Sequence, residues 1–344
     1  MATMEAVYGR SRTKEKSGVR CREQEIYRIL PSRLRQMFRD LPICFQDLQE
    51  IRLRVGSPVL FRYLGQEYFL NATGGMSRDK RSAYNVGREE LREAVEYISN
   101  YSLYAYEEEL RQGYLTIQGG HRIGIAGKII LENKQIKSIS YITCLNIRLA
   151  HEVLGCGEHI LPYLVSGQQL CHTLLISPPR QGKTTLLRDL IRLLSSGFVD
   201  MPGMTVGVVD ERSEIGACYR GQPQNDLGYR TDILDACPKV EGMMLLVRSM
   251  APEVIAVDEI GSRADVEAME YVMNSGVKLL ATVHGNGMDD IQAKPVLGRL
   301  VQERMFQRYV ILGGRKVGQI KEVFDERGSL LVTGGELERK REVC

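Results

Sequence analysis

A chain of 344 residues is long enough for two ordinary domains, each with a core of its own. At 43% hydrophobic and 26% charged residues it has a globular composition, which excludes a disordered or fibrous protein. A net charge of +3 excludes an overall basic field of the kind that draws nucleic acid.

Residues 1–22 carry Arg10, Arg12, Lys14, Lys16, Arg20 and Arg22 against Glu5 and Glu15. They read as a flexible basic tail, solvated or weakly held by an anionic surface such as a membrane leaflet. The N-terminus lacks the apolar core of a signal peptide, and no apolar run approaches the roughly 18 residues of a membrane span, so a cytoplasmic protein is expected. Eight cysteines without a C-x-x-C pair point to free thiols rather than a zinc site. Residues 23–150 mix helix and strand. EQEIYRILPSRLRQMF has the spacing of an amphipathic helix. LQEIRLRVGSPVLFRYLGQEYFL alternates on either side of residues 56–58, as a hairpin does. GREELREAVEYISNYSLYAYEEELRQGYLTI predicts two helices leading into a strand, and GHRIGIAGKIILENKQIKSISYITCLNIRLA returns to alternating strands. Helices on one sheet, a small α+β domain, is the expected architecture.

After LAHEVLGCGEHI the pattern changes, and residues 151–335 alternate short apolar runs with helical segments. HTLLI, MTVGVV, EVIAV and VKLLATV are apolar along nearly their whole length, as strands buried on both faces of a parallel sheet are. Helices expected near 183–195, 240–250 and 263–274 fit right-handed crossovers. The second domain is therefore read as a doubly wound α/β domain whose ligand sits at the carboxyl ends of the strands. Residues 336–344 form a charged tail.

The chemistry concentrates at those strand ends. LLISPPRQGKTTLLRDLI follows the P-loop pattern G-x-x-x-x-G-K-[ST], with Ser177 in place of the first glycine. Strand, loop and helix start come in the order a phosphate cradle needs, so that backbone amides and the helix dipole face the anion. Gly182 lets the backbone approach the phosphates, Lys183 is placed to pair with the β- and γ-phosphates, and Thr184 to put its hydroxyl on Mg²⁺. Pro178 and Pro179 stiffen the loop and are expected to relax the need for glycine before them. PEVIAVDEIG ends an apolar strand in Asp258 and Glu259, 75 positions after Lys183. Asp258 is expected to hold the metal, and Glu259 to orient and polarise the attacking water. VKLLATVHGNG brings Thr282 and His284 to the same rim, where a polar tip can touch the γ-phosphate. VGVVDERSEIG delivers Asp210, Glu211, Arg212 and Glu214 there as well.

In this order the motifs resemble the secretion-type ATPases of type II and type IV secretion and pilus assembly. VVDERSE is similar to their acidic box, and TVHGNG to their histidine box. ISNYSLYAYEEELRQGYLTIQGGHRIGIAGK, DERSEIGACYRG and LLVRSMAPEVIAVDEIG more closely resemble the stage III sporulation protein AA family of endospore-forming bacteria, over residues 24 to 335. The resemblance implies a RecA-like P-loop ATPase domain preceded by a smaller α+β domain, on the mother-cell side of a channel to the forespore. It implies ATP on Ser177, Pro178, Pro179, Arg180, Gln181, Gly182, Lys183, Thr184 and Thr185. Mg²⁺ would sit at Thr184 and Asp258, and water activation at Glu259. Glu211 and Glu214 would come from the acidic box, with His284 as the sensing residue. It further implies a hexameric ring, peripheral to the membrane and set on the cytoplasmic face of an integral membrane complex. An arginine would then reach the γ-phosphate from a neighbour or from the N-terminal domain, and Arg122, Arg148, Arg212 and Arg248 are the candidates.

Two other readings stand beside this motor. RecA-like cores also power nucleic-acid-dependent ATPases, and the basic tail with Tyr97, Tyr101, Tyr104, Tyr106 and Tyr114 supplies the residue types of a stacking surface. A nucleotide-binding scaffold without turnover is the third.

Overall fold

The structure, a computed structural model, describes residues 19–20, 23–100, 106, 109–110, 113–132, 134–167, 169–198, 201–314 and 318–337. The basic positions 10, 12, 14, 16 and 22, together with Tyr101, Tyr104 and the last seven residues, lie outside that set. Two compact units divide between Glu152 and Val153.

The first unit is built on a seven-stranded antiparallel sheet. Its strands are β1 (Leu48–Arg54), β2 (Leu60–Tyr63), β3 (Gln66–Leu70), β4 (Met76–Ser77), β5 (Tyr114–Thr116), β6 (Arg122–Glu132) and β7 (Gln135–Arg148), in the order β4-β3-β2-β1-β7-β6-β5. Alternation places Ile51, Leu53, Phe61, Ile123, Leu145 and Ile147 in one core with helices α1 (Glu23–Ile29), α2 (Ser32–Asp40) and α3 (Arg88–Ile98). The segment that the sequence presents as one amphipathic helix is thus two. Pro31 has no amide to continue α1, and it biases Leu30 away from helical dihedrals. Its carbonyl instead opens α2 by accepting the Arg35 amide at 2.8 Å. Of the two helices expected between residues 87 and 117, α3 is observed, and the second falls mostly outside the described residues.

The second unit carries the sheet that positions the site. Its strands are β8 (Thr173–Ser177), β9 (Val206–Asp210), β10 (Thr231–Asp235), β11 (Val254–Val257), β12 (Lys278–His284), β13 (Arg308–Leu312), β14 (Ile320–Asp325) and β15 (Leu330–Thr333). They lie in the order β10-β9-β11-β12-β8-β13-β14-β15. The first six are mutually parallel, and β14 and β15 continue the sheet antiparallel. Helix α4 (Lys183–Ser196) packs on the face that holds Leu175, Val208 and Ala256. Helices α5 (Lys239–Ser249), α6 (Arg263–Asn274), α7 (Met288–Ala293) and α8 (Leu297–Gln302) cover the other, with Leu174, Ile176, Ile255 and Leu279. Because β8 and β12 run side by side with Ser177 opposite His284, and β11 adjoins β12, the carboxyl ends of three strands meet in one place.

Candidate functional site

The loop of residues 178–182 leaves β8 and enters α4. Its left-handed positions are Arg180 at φ 63° and Gly182 at φ 87°. Ser177 is absent from the left-handed region. It closes the strand in register with His284, and its hydroxyl donates to the Pro178 carbonyl at 2.8 Å. The expectation that two prolines excuse a missing glycine is therefore replaced by a simpler reason: residue 177 is ordinary strand and needs no glycine. Pro179 and Arg180 are exposed, while Pro178, Gln181, Thr184 and Thr185 are half-buried.

Lys183, only 5% exposed, donates from Nζ to Asp258 Oδ1 at 2.5 Å and to Thr282 Oγ1 at 2.8 Å. Thr184 Oγ1 donates to Asp258 Oδ2 at 2.7 Å. Burial alone would raise the Asp258 carboxyl. The Lys183 ammonium and the hydrogen bonds from Lys183, Thr282 and Thr184 outweigh it and hold the group below the usual carboxylate range. Asp258 is thus an anion at neutral pH, next to a threonine hydroxyl. That is the oxygen donor set a hard divalent cation prefers, and Thr184 with Asp258 fits Mg²⁺.

Glu259 sits one residue on, with its backbone at φ 56°. Its Oε1 faces His284 Nε2 at 2.9 Å and Lys183 Nζ at 3.7 Å, and its Oε2 pairs with Arg212 at 2.7 Å. The acidic loop after β9 forms the facing wall. Asp210, Glu211, Arg212, Glu214 and Lys239 line one cleft with Asp258 and Glu259. Asp210 lies beneath it, accepting the amides of Glu214, Ile215 and Gly216 at 2.8, 2.9 and 2.8 Å. Arg188, on α4, donates to the carbonyls of Glu214 and Ile215, both at 2.8 Å. Glu211 pairs with Lys239. Asp210, Arg188 and Lys239 therefore build the wall from which Glu211, Arg212 and Glu214 project. Arg188 and Lys239 gave no sequence signal, since each acts through tertiary contact alone.

Four expected arginines are distributed differently. Arg212 faces Glu259 of its own chain. Arg248 is exposed in the last turn of α5, which leads into β11, and so it lies toward the amino ends of the strands. Within one chain it is not brought to the cleft. Arg122 and Arg148 belong to the first unit, paired across β6 and β7, with the Arg122 guanidinium 5.1 Å from the Tyr114 ring centroid. Tyr97 and Tyr106 are likewise engaged in that unit: the Tyr97 hydroxyl donates to Glu93 at 2.6 Å, and Tyr106 is 5% exposed.

Residues 20–331 match the family model described as "Sporulation stage III, protein AA". The chain belongs to the stage III sporulation protein AA family. Its similarity to the Stage III sporulation protein AA of Bacillus subtilis (strain 168) is 42% identity over 309 residues, covering 89% of this chain and 96% of that protein. Among solved structures, the ATPase DotB of Legionella pneumophila superposes with a TM-score of 0.53 at 13% identity, over 91% of this chain and 88% of that one. The pilus retraction motor PilT, solved with bound ADP, gives 0.50 at 14%, over 86% and 85%. At these identities the likeness concerns the fold, and this member of the sporulation family has the RecA-like fold of secretion ATPases. No helix among the described residues is long and apolar enough to cross a membrane.

Proposed function

We propose that this protein is an ATP-hydrolysing motor of the secretion-ATPase type, which powers or gates a membrane-associated complex between mother cell and forespore. The observation that carries this reading is the convergence of Lys183, Thr184, Asp258 and Glu259, from two separate strand ends, within hydrogen-bond or ion-pair distance. In the proposed reaction Lys183 exchanges its contact with Asp258 for the β- and γ-phosphate oxygens and, having three N–H donors, keeps the one to Thr282. The backbone amides at the start of α4 face the same anion. Thr184 and Asp258 would hold Mg²⁺, which would supply positive charge to the phosphates. Glu259 takes the proton of the water that attacks the γ-phosphorus as the bond to the β-bridging oxygen breaks. Its carboxylate is oriented by His284 on one oxygen and by Arg212 on the other. Arg212, 63% exposed against 44% for His284, is the more solvated of the two, and its withdrawal would leave Oε2 to the water. Glu211 and Glu214 border the nucleotide from the facing wall. We further propose that the chain works as a hexameric ring on the cytoplasmic face of a membrane protein complex. There Arg248, or Arg122 or Arg148 of the first unit, reaches a γ-phosphate.

The test is paired. Glu259→Gln keeps the shape of the site and removes the base, so it should retain Mg·ATP binding while hydrolysis falls by about 10²- to 10⁴-fold. Lys183→Ala should lose binding itself. Wild-type protein that binds Mg·ATP but never releases phosphate overturns the motor and leaves a scaffold.

A further inference from the structure

Thr282 occupies a place in the site that its position in the sequence does not disclose. It is fully buried at the end of β12. Its Oγ1 accepts from Lys183 Nζ at 2.8 Å and from the Glu259 amide at 3.0 Å, and it donates to Asp258 Oδ1. Its main-chain carbonyl accepts the Ile260 amide at 2.9 Å. A hydroxyl has one proton to give and two lone pairs to offer, and here all three are spent on protein groups. The sequence suggests that a polar tip on this strand touches the γ-phosphate. For Thr282 the hydrogen-bond count leaves nothing with which to do so, and of the two polar residues only His284, 44% exposed, remains open to a ligand.

We propose that Thr282 is a positioning residue that sets the general base relative to the phosphate-binding lysine, an assignment resting on the hydrolytic reading above. Glu259 is a non-glycine residue in the left-handed region, a strained conformation that persists only where its surroundings hold it. The hydroxyl and carbonyl of Thr282 grip the amides of Glu259 and Ile260, and so fix the turn that aims the Glu259 carboxylate. The same hydroxyl spans Lys183 and Asp258. One oxygen thereby ties the lysine, the metal-facing carboxylate and the backbone of the base into a single arrangement. Misplacement of a base by a fraction of an ångström lowers the rate of the chemical step and leaves affinity for the substrate largely intact.

Thr282→Val keeps the branched shape and deletes the hydroxyl, and Thr282→Ser keeps the hydroxyl and deletes a methyl. Steady-state ATP hydrolysis and Mg·ATP binding are to be measured on the full chain for both, beside wild type and with thermal unfolding as the check on folding. The valine variant should lose about 10- to 100-fold in kcat, with KM and Kd for ATP within about threefold of wild type. The serine variant should recover to within a few-fold of wild-type kcat. A valine variant as fast as wild type overturns the assignment, as does one whose KM rises while kcat holds, because that pattern marks a substrate contact. If the valine variant does not fold, the serine variant decides: a folded protein with more than a tenfold loss in kcat refutes positioning by the hydroxyl. Absence of turnover in wild type would refute the hydrolytic reading as well, whereas an active wild type with an equally active valine variant refutes this proposal alone.

Discussion

Asp210 is a carboxylate whose oxygens organise backbone. Burial pushes its carboxyl from 3.8 up to about 6, against the amides of Gly216, Glu214 and Ile215 and with help from Asp235. A raised carboxyl pKa in the folded state means that folding favours the protonated form. Its stabilising contribution is complete below about pH 4 and is lost as pH rises toward 6, by an amount on the order of 3 kcal/mol. Urea midpoints of wild type and Asp210→Asn, compared from pH 4 to 7, should show wild type losing ground up to about pH 6 and holding a constant difference above it. A difference independent of pH would contradict the burial argument. Residues of this kind mark the boundary of what the chain discloses in advance. Lys183, Thr184, Asp258 and Glu259 were legible as candidates because the first two open a helix after an apolar strand and a short loop, and the last two follow an apolar strand directly. The Arg212–Glu259 pair and the hydroxyl of Thr282 were not. They depend on the order β9-β11-β12-β8, which no local spacing encodes.

Among the elements, α5 approaches β9 through a glycine. A Cβ on Gly242 would stand 2.5 Å from Val209 Cγ1 and 3.1 Å from Cys237 Sγ. Alanine at a helix interior gains about 1 kcal/mol over glycine, but overpacking a close contact costs about 1–3 kcal/mol, and at this distance the contact wins. Gly242→Ala should therefore destabilise the protein by up to about 2 kcal/mol, read as a lower urea midpoint with unchanged slope. A more stable variant would mean that α5 stands further from the sheet. The four strands that the apolar runs announced were found within a residue or two, because a strand buried on both faces leaves an uninterrupted signature. β10, β14 and β15 are half-exposed, and TDILD, IKEVFD and LLVT carry that signature weakly. RYVIL, in β13, is as apolar as the others but ends in no chemical motif. The antiparallel border of the sheet was consequently invisible in the sequence.

At the scale of the whole molecule, the described residues form separate buried cores. One runs from Ile26 to Leu149, and the two that sandwich the parallel sheet lie between Ile160 and Leu337. Differential scanning calorimetry should resolve two transitions, and Mg·ATP should raise one of them. At a hundredfold excess over Kd the gain is about 2.7 kcal/mol, assigned to residues 153–337 by its absence in Lys183→Ala. Specific ATPase activity should also climb with protein concentration if a neighbouring subunit completes the site, and light scattering should report assembly over the same range. Constant activity across that range would leave the site complete in one chain.

The loop beside the lysine has one further attachment. The Gly318 amide, just before β14, donates to the Gln181 carbonyl at 2.7 Å. The cradle and the sheet's outer border are harnessed together by that bond, although they are far apart in the sequence. Tightening of the cradle around a polyanion is therefore expected to be felt in the border strands through this one bond. Hydrogen–deuterium exchange at Gly318 should slow on Mg·ATP addition and quicken again once the terminal phosphate has departed.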